Sequence, residues 1–197
     1  MMSLSGAYAD QTTGMLPLED IAVGLARIPR FGGQTKIWWT VAEHLLAGMI
    51  FTRGLYDRRI TRDPALALHV GLHDAHEAMT SDVPTCFKTD DLKRLQQRLD
   101  VRLYAALGLP FPSPAQAAEV AWIDRALLRA EAWVVCPRAT YDAIVKAEDY
   151  PFGPDTAEYS PECDAVRSVI QPLFPRDTRV SEWWLTEINT LIERVKK

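Results

Sequence analysis

Cysteine is scarce in this sequence: Cys86, Cys136 and Cys163 are the three present, and no two are close together. An odd count without close pairs argues against a disulfide framework and against a cysteine-rich zinc site, and fits reduced thiols. Charge of one sign is also lacking. Lysine and arginine total 22 against 26 acids, a net charge of −4, so there is no basic field to hold a long nucleic acid. A small phosphorylated ligand needs only a local basic cluster and is not excluded. No run approaches the roughly 18 apolar residues of a membrane span. The stretch Met1 to Gly14 shows no apolar segment behind a positive charge, so no secretory signal is visible. The expected location is the cytoplasm, without a membrane partner. No stretch alternates for long enough to require a sheet, and no internal repeat is visible. Gly32-Gly33 is not followed by Gly-Lys-Ser/Thr and does not form a phosphate loop.

What remains is helical and apolar. The chain has 197 residues, 48% of them hydrophobic and 24% charged, enough for one domain with a substantial core. Apolar residues recur at three- and four-residue steps, predicting an all-α fold. A short helix is expected over about Leu18 to Ile28, closed by Pro29. A second runs from about Val41 past Ile50 and, being apolar nearly all round, belongs at the centre. A third is expected from the Asp63-Pro64 cap to about Met79, a fourth over Asp90 to Leu107 with Gly108 as its C-cap, and a fifth over Pro114 to Val135. Tyr150 to Pro161 reads as loop and Ser181 to Val195 as a last helix. The motif-bearing core spans about 18–135, and about 136–197 forms a C-terminal helical extension of the same domain.

Histidine is confined to one stretch: His44, His69, His73 and His76. His73-Asp74 falls inside the third expected helix, where Leu66, Val70, His73 and Glu77 share a stripe. Imidazole and carboxylate on an apolar face need partners, and a divalent transition metal (Mn, Co, Fe, Ni or Zn) satisfies both. His44 on the second helix and Asp124 on the fifth add polar groups to two further apolar faces. Taken singly, His44 reads as a core histidine and Asp124 as a surface acid. Together with His73-Asp74 they read as a ligand set. His69 and His76 stand apart from it, His69 as a packing or supporting residue and His76 as an exposed one. Glu131 lies on nearly the same face as Asp124, placed to orient the site or to pair with an arginine. Trp38-Trp39 and Trp183-Trp184 suit core or subunit interface.

The order His44, His73-Asp74, Asp124 resembles the H…HD…D signature of the HD-domain metal-dependent phosphohydrolases. The segments DIAVGLARIPRFGGQTKIWWTVAEH (Asp20 to His44) and GLHDAHEAMTSDVPTCFK (Gly71 to Lys88) are similar to small HD proteins around the bacterial 5′-deoxynucleotidases. Phage dATP triphosphohydrolases are similar too. The similarity covers about Leu18 to Val135 and implies an HD-domain helical bundle. It implies His44, His73, Asp74 and Asp124 as metal ligands, Glu77 as acid/base, and Asp82 as a residue that contacts the sugar or positions water. It places Arg30 and Phe31 in the nucleotide pocket, Phe31 standing where the 5′-deoxynucleotidases carry tryptophan. Gln34 in the same loop is suited to a base edge and Lys88 to a phosphate. A further Mg or Mn would arrive with substrate, since no histidine follows His76.

The expected activity is hydrolysis of deoxyribonucleoside 5′-monophosphates. A dNTP triphosphohydrolase, with dATP favoured, and a non-catalytic nucleotide-binding module are the alternatives. The resemblance also implies a homo-oligomer.

Overall fold

The second helix, apolar on nearly every side in sequence, is the one on which five of the other helices pack. The computed structural model describes residues 15–57, 63, 65–147, 161–170 and 176–197. Residues 1–14, Pro64 of the expected cap, and the expected loop from Tyr150 as far as residue 160 lie outside them. The helices are α1 (Leu18–Leu25), α2 (Val41–Asp57), α3 (Leu66–Leu72), α4 (Glu77–Thr80), α5 (Asp90–Leu107), α6 (Pro114–Val135), α7 (Arg138–Ala147), α8 (Pro161–Ile170) and α9 (Arg176–Val195), with 3-10 turns at Arg30–Gly33 and Thr85–Phe87. Among the described residues there is no strand, only a bridge between Pro29 and Thr40. No described helix is long and apolar enough to cross a membrane.

Helix α2 is buried from Val41 to Met49 and packs against α1, α3, α6, α8 and α9. The C-terminal helices are not an appendage to this core. Val166 and Val169 of α8 and Trp184, Ile188 and Leu191 of α9 belong to the same buried cluster as Leu45 and Leu127. The Trp184 indole donates to the Gly71 carbonyl at 3.1 Å, fastening α9 to α3. Trp39 and Trp184 are core, whereas Trp38 is 53% exposed.

Local chemistry sets the helix ends. Thr89 caps α5 and Gly108 ends it in the left-handed region at φ 64°. Ser113 and Gln116 form a capping box on α6, with Pro114 in its first turn. The third expected helix is two. α3 stops at Leu72 and α4 begins at Glu77, with residues 73–76 in a tight turn. The reason is local: His73 Nδ1 donates to the Val70 carbonyl at 2.8 Å, so a side chain competes for a helical acceptor. The backbone shortens to three-residue steps, Ala75 N–H to Leu72 O at 3.0 Å and Glu77 N–H to Asp74 O at 2.9 Å.

Gly48 marks the close approach of α2 to α3 and α6. A Cβ there would sit 2.6 Å from Val70 Cγ1 and 3.1 Å from Leu127 Cδ1. Valine has few rotamers with which to give way. Gly48→Ala is therefore expected to cost about 1–3 kcal/mol by overpacking, offset in part by about 1 kcal/mol of helix propensity. A lowered urea midpoint is the expected result, and an unchanged or raised one would show that the three helices can spread at no cost.

Candidate metal centre

Three separate helical segments deliver the ligand atoms. Thr40 and Glu43 box the start of α2: the Thr40 N–H donates to Glu43 Oε2 at 2.7 Å, and the Glu43 N–H donates to Thr40 Oγ1 at 3.3 Å. That fixes the first turn, where His44 sits fully buried. The turn after α3 carries His73 and Asp74, and α6 carries Asp124. One ligand atom from each of His44, His73, Asp74 and Asp124 lies within 4.8 Å of the others. His44 Nε2 is 3.4 Å from His73 Nε2, 3.3 Å from Asp124 Oδ1 and 3.8 Å from Asp74 Oδ2. His73 Nε2 is 3.3 Å from Asp74 Oδ2 and 3.6 Å from Asp124 Oδ1.

The donor set fits a divalent cation. Both Nδ1 atoms are engaged outward, His44 on Glu131 Oε1 at 2.7 Å and His73 on the Val70 carbonyl at 2.8 Å. With Nδ1–H donating in each ring, two imidazole lone pairs and two carboxylates face one another, and a shared cation or added protons must hold them together. Two nitrogens and two carboxylates suit borderline divalent ions. In the metal-free chain the electrostatics favour protons in that part. Burial alone would depress both imidazoles, but Asp74 and Asp124 push His73 well above the ordinary histidine value. Glu131 and Asp124 raise His44 against both burial and Arg30. Burial would raise the aspartates too, yet the imidazoles hold Asp74 and Asp124 below their usual range. Metal uptake must displace those imidazole protons. Affinity is therefore expected to tighten as pH rises through and beyond the ordinary histidine range, with proton release. Titration calorimetry in buffers of different ionisation enthalpy reads this; a buffer-independent heat would contradict it.

Glu131, for which the sequence left two readings open, meets both a histidine of the cluster and an arginine. It is fully buried, bonded to His44 and also to Arg30 Nε at 3.1 Å. Arg30 and His44 hold its carboxyl below the usual range despite burial. Arg30 reaches on toward Asp74, Nη1 to Oδ2 at 3.7 Å. It stands at the start of the 3-10 turn, in which Phe31 adopts φ 55° and Gly32 φ 58°. A left-handed phenylalanine is uncommon and costs energy that the surrounding contacts must offset. Here the ends of the loop are tied by Arg30 N–H to Trp39 O at 2.9 Å and Val41 N–H to Ile28 O at 3.1 Å.

Above the ligands opens a cavity of about 400 Å³. Asp74 and Asp124 reach its wall, along with Arg30, Phe31, Glu77, Asp82 and Lys88. Val83, Pro84, Leu128 and Ile144 supply an apolar side. Burial and the nearby Asp74 and Asp82 push the Glu77 carboxyl up to about 7. Lys88 Nζ lies 3.4 Å from Glu77 Oε1. Burial raises Asp82 as well, against the pull of Arg30. Gln34 is exposed and outside this lining. His69 turns away to the Tyr104 hydroxyl at 3.0 Å. His76, expected at the surface, is 6% exposed: the tight turn points it at α5, where Nδ1 meets Asp100 Oδ1 at 2.8 Å.

Fold and site together define an all-helical protein with a candidate metal centre of two histidines and two aspartates at the base of a mixed polar and apolar cavity. No family model matches the chain. It is similar to the uncharacterized protein YfdR of Escherichia coli (strain K12), 29% identical over 116 residues. The matched stretch is 58% of this chain and 58% of that protein.

Proposed function

We propose that this protein is an HD-type metal-dependent phosphohydrolase that converts deoxyribonucleoside 5′-monophosphates to deoxynucleoside and phosphate. The observation that carries this is the convergence of His44, His73, Asp74 and Asp124 beside a cavity that also holds Glu77. Those four residues would hold a divalent ion, which would supply Lewis acidity toward a phosphoryl oxygen and make water there more acidic. Glu77, whose carboxyl is pushed up to about 7 in the metal-free chain by burial and the neighbouring Asp74 and Asp82, is the residue on the cavity wall placed to carry a proton. It can pass that proton to the 5′ oxygen as water adds to phosphorus and the P–O5′ bond breaks. Asp82 holds or orients water at the cavity wall.

Arg30 and Lys88 are the cationic side chains on the lining among the described residues, and Arg30 is already shared with Glu131. That positive charge suits one phosphate better than three, which favours the monophosphate over the triphosphate. Phe31 and the apolar side offer the nucleoside a surface on which a ribose 2′-hydroxyl would be buried without a partner.

A phosphate and polyphosphate release screen over dNMPs, NMPs and dNTPs with Mn, Co, Mg and Zn tests the assignment. kcat/KM for dAMP is expected to exceed that for AMP by on the order of 10- to 100-fold, and Phe31→Ala to shrink the ratio. Equal turnover of the ribo forms would end the deoxynucleotide reading, and tripolyphosphate release would end the monophosphate one.

A further inference from the structure

The break in the helix at residues 73–76 does more than present the first ligand pair. In an α-helix, residues two apart do not face each other, so Asp74 and His76 would diverge. The three-residue steps, Glu77 N–H to Asp74 O at 2.9 Å and Met79 N–H to His76 O at 2.9 Å, eclipse side chains three apart and stack Glu77 on Asp74. One ligand atom from each of Asp74, His76 and Glu77 lies within 4.8 Å of the other two. We propose that these three residues form a second divalent-cation site, sharing Asp74 with the first centre and taking a hard or borderline ion such as Mn²⁺ or Mg²⁺. The inference rests on the metal centre proposed above and extends it.

The cluster is more than a group of acids. His76 is 6% and Glu77 1% exposed. His76 Nδ1 is paired with the Asp100 carboxylate at 2.8 Å, so Nδ1–H is the donor and, in the neutral ring, Nε2 carries the lone pair. Nε2 is buried without a hydrogen-bond partner among the described residues, and so is Glu77 Oε2. Two buried, unpartnered acceptors on neighbouring residues of the cluster are satisfied together by a cation. Lys88 lies against the other Glu77 oxygen, Oε1. Asp100 stands to His76 as Glu131 stands to His44: a carboxylate fixes the tautomer so that the opposite nitrogen can ligate. One imidazole and two carboxylates suit Mn²⁺, and Mg²⁺ through its preference for oxygen.

The site has a functional consequence. A Glu77 carboxylate bound to an ion cannot carry a proton, so the second ion opposes the step for which Glu77 is needed. Phosphate release should rise as the first site fills and fall as the second does.

Equilibrium dialysis of the full chain against MnCl₂, read together with EPR, tests this. Two ions are expected at saturation, the second at least 10-fold weaker, with the spectrum passing from an isolated to an exchange-coupled pair as it binds. His76→Gln is expected to bind the first ion alone. Asp100→Asn, which leaves the imidazole in place, is expected to weaken the second ion by about 10–100-fold without moving the first. A single ion at millimolar Mn²⁺, or an uncoupled spectrum at full occupancy, overturns the proposal in the unmodified protein whatever the variants do. A second ion held with unchanged affinity in both variants also overturns it. Failure to bind any ion would remove the first centre itself, a different and larger failure.

Discussion

Glu77→Ala is expected to retain the ion on His44, His73, Asp74 and Asp124 and to lose about 10²–10⁴ in kcat, the usual share of a positioned acid/base. The residue lies on the cavity wall rather than among the four ligands, so metal content by elemental analysis at one equivalent should stay near that of the unmodified protein. Stability separates this role from a structural one. Burial, with Asp74 and Asp82 nearby, raises the carboxyl from its ordinary value to about 7, so the folded chain binds this proton more tightly than the unfolded chain. The stabilisation associated with that proton is present below about 4.5 and is lost as pH rises through 7. At pH 8 the metal-free protein therefore buries an unfavourable carboxylate, and the alanine variant should be at least as stable there by urea denaturation. Undiminished turnover at full occupancy would remove Glu77 from the mechanism. A large loss of stability at pH 8 would make it a structural residue instead.

The second large effect belongs to Glu131, through residues it holds rather than through substrate. Glu131→Ala takes away both the acceptor for His44 Nδ1 and the counter-charge of Arg30. The first loss should weaken Mn²⁺ binding by about 10–100-fold, the usual effect of removing a ligand's supporting carboxylate. The second leaves a guanidinium in a buried position with Asp74 at 3.7 Å as a remaining partner, and should cost about 3–5 kcal/mol of stability. The two can be separated. Adding Arg30→Ala to Glu131→Ala removes the stranded cation and should restore part of the stability without restoring affinity. Glu131→Gln, which keeps an oxygen for His44, should bind metal better than the alanine variant while remaining less stable than the parent. Metal binding in Glu131→Ala indistinguishable from the parent would show that His44 is oriented by packing alone.

The helical class, the central place of α2 and the ends of α5 and α6 were legible because they depend on local chemistry. Apolar spacing, the Thr89 and Ser113 caps, Pro114 and Gly108 act within a turn or two of themselves. The four clustered side chains were legible for a related reason: imidazoles and carboxylates on apolar helix faces are conspicuous in one dimension. α7 and α8 were missed. Tyr141 and Ile144 after Pro137, and Cys163, Val166 and Val169 after Pro161, are short signals beside proline-bearing stretches that read as loop.

The chain by itself thus determined an all-α fold and which side chains need a partner inside it. The tertiary structure decided which partner each received. Glu131 reaches His44 from 87 positions away and Arg30 from 101, and no periodicity encodes such a pairing. His76 on an uninterrupted helix would face outward, but the Val70 carbonyl is taken by the His73 ring, the turn tightens, and His76 swings inward to Asp100 on α5. Helix propensity and hydrophobic spacing report on a few neighbouring residues, whereas the direction of a buried polar side chain is set by whichever hydrogen-bonding group the packed helices place opposite it.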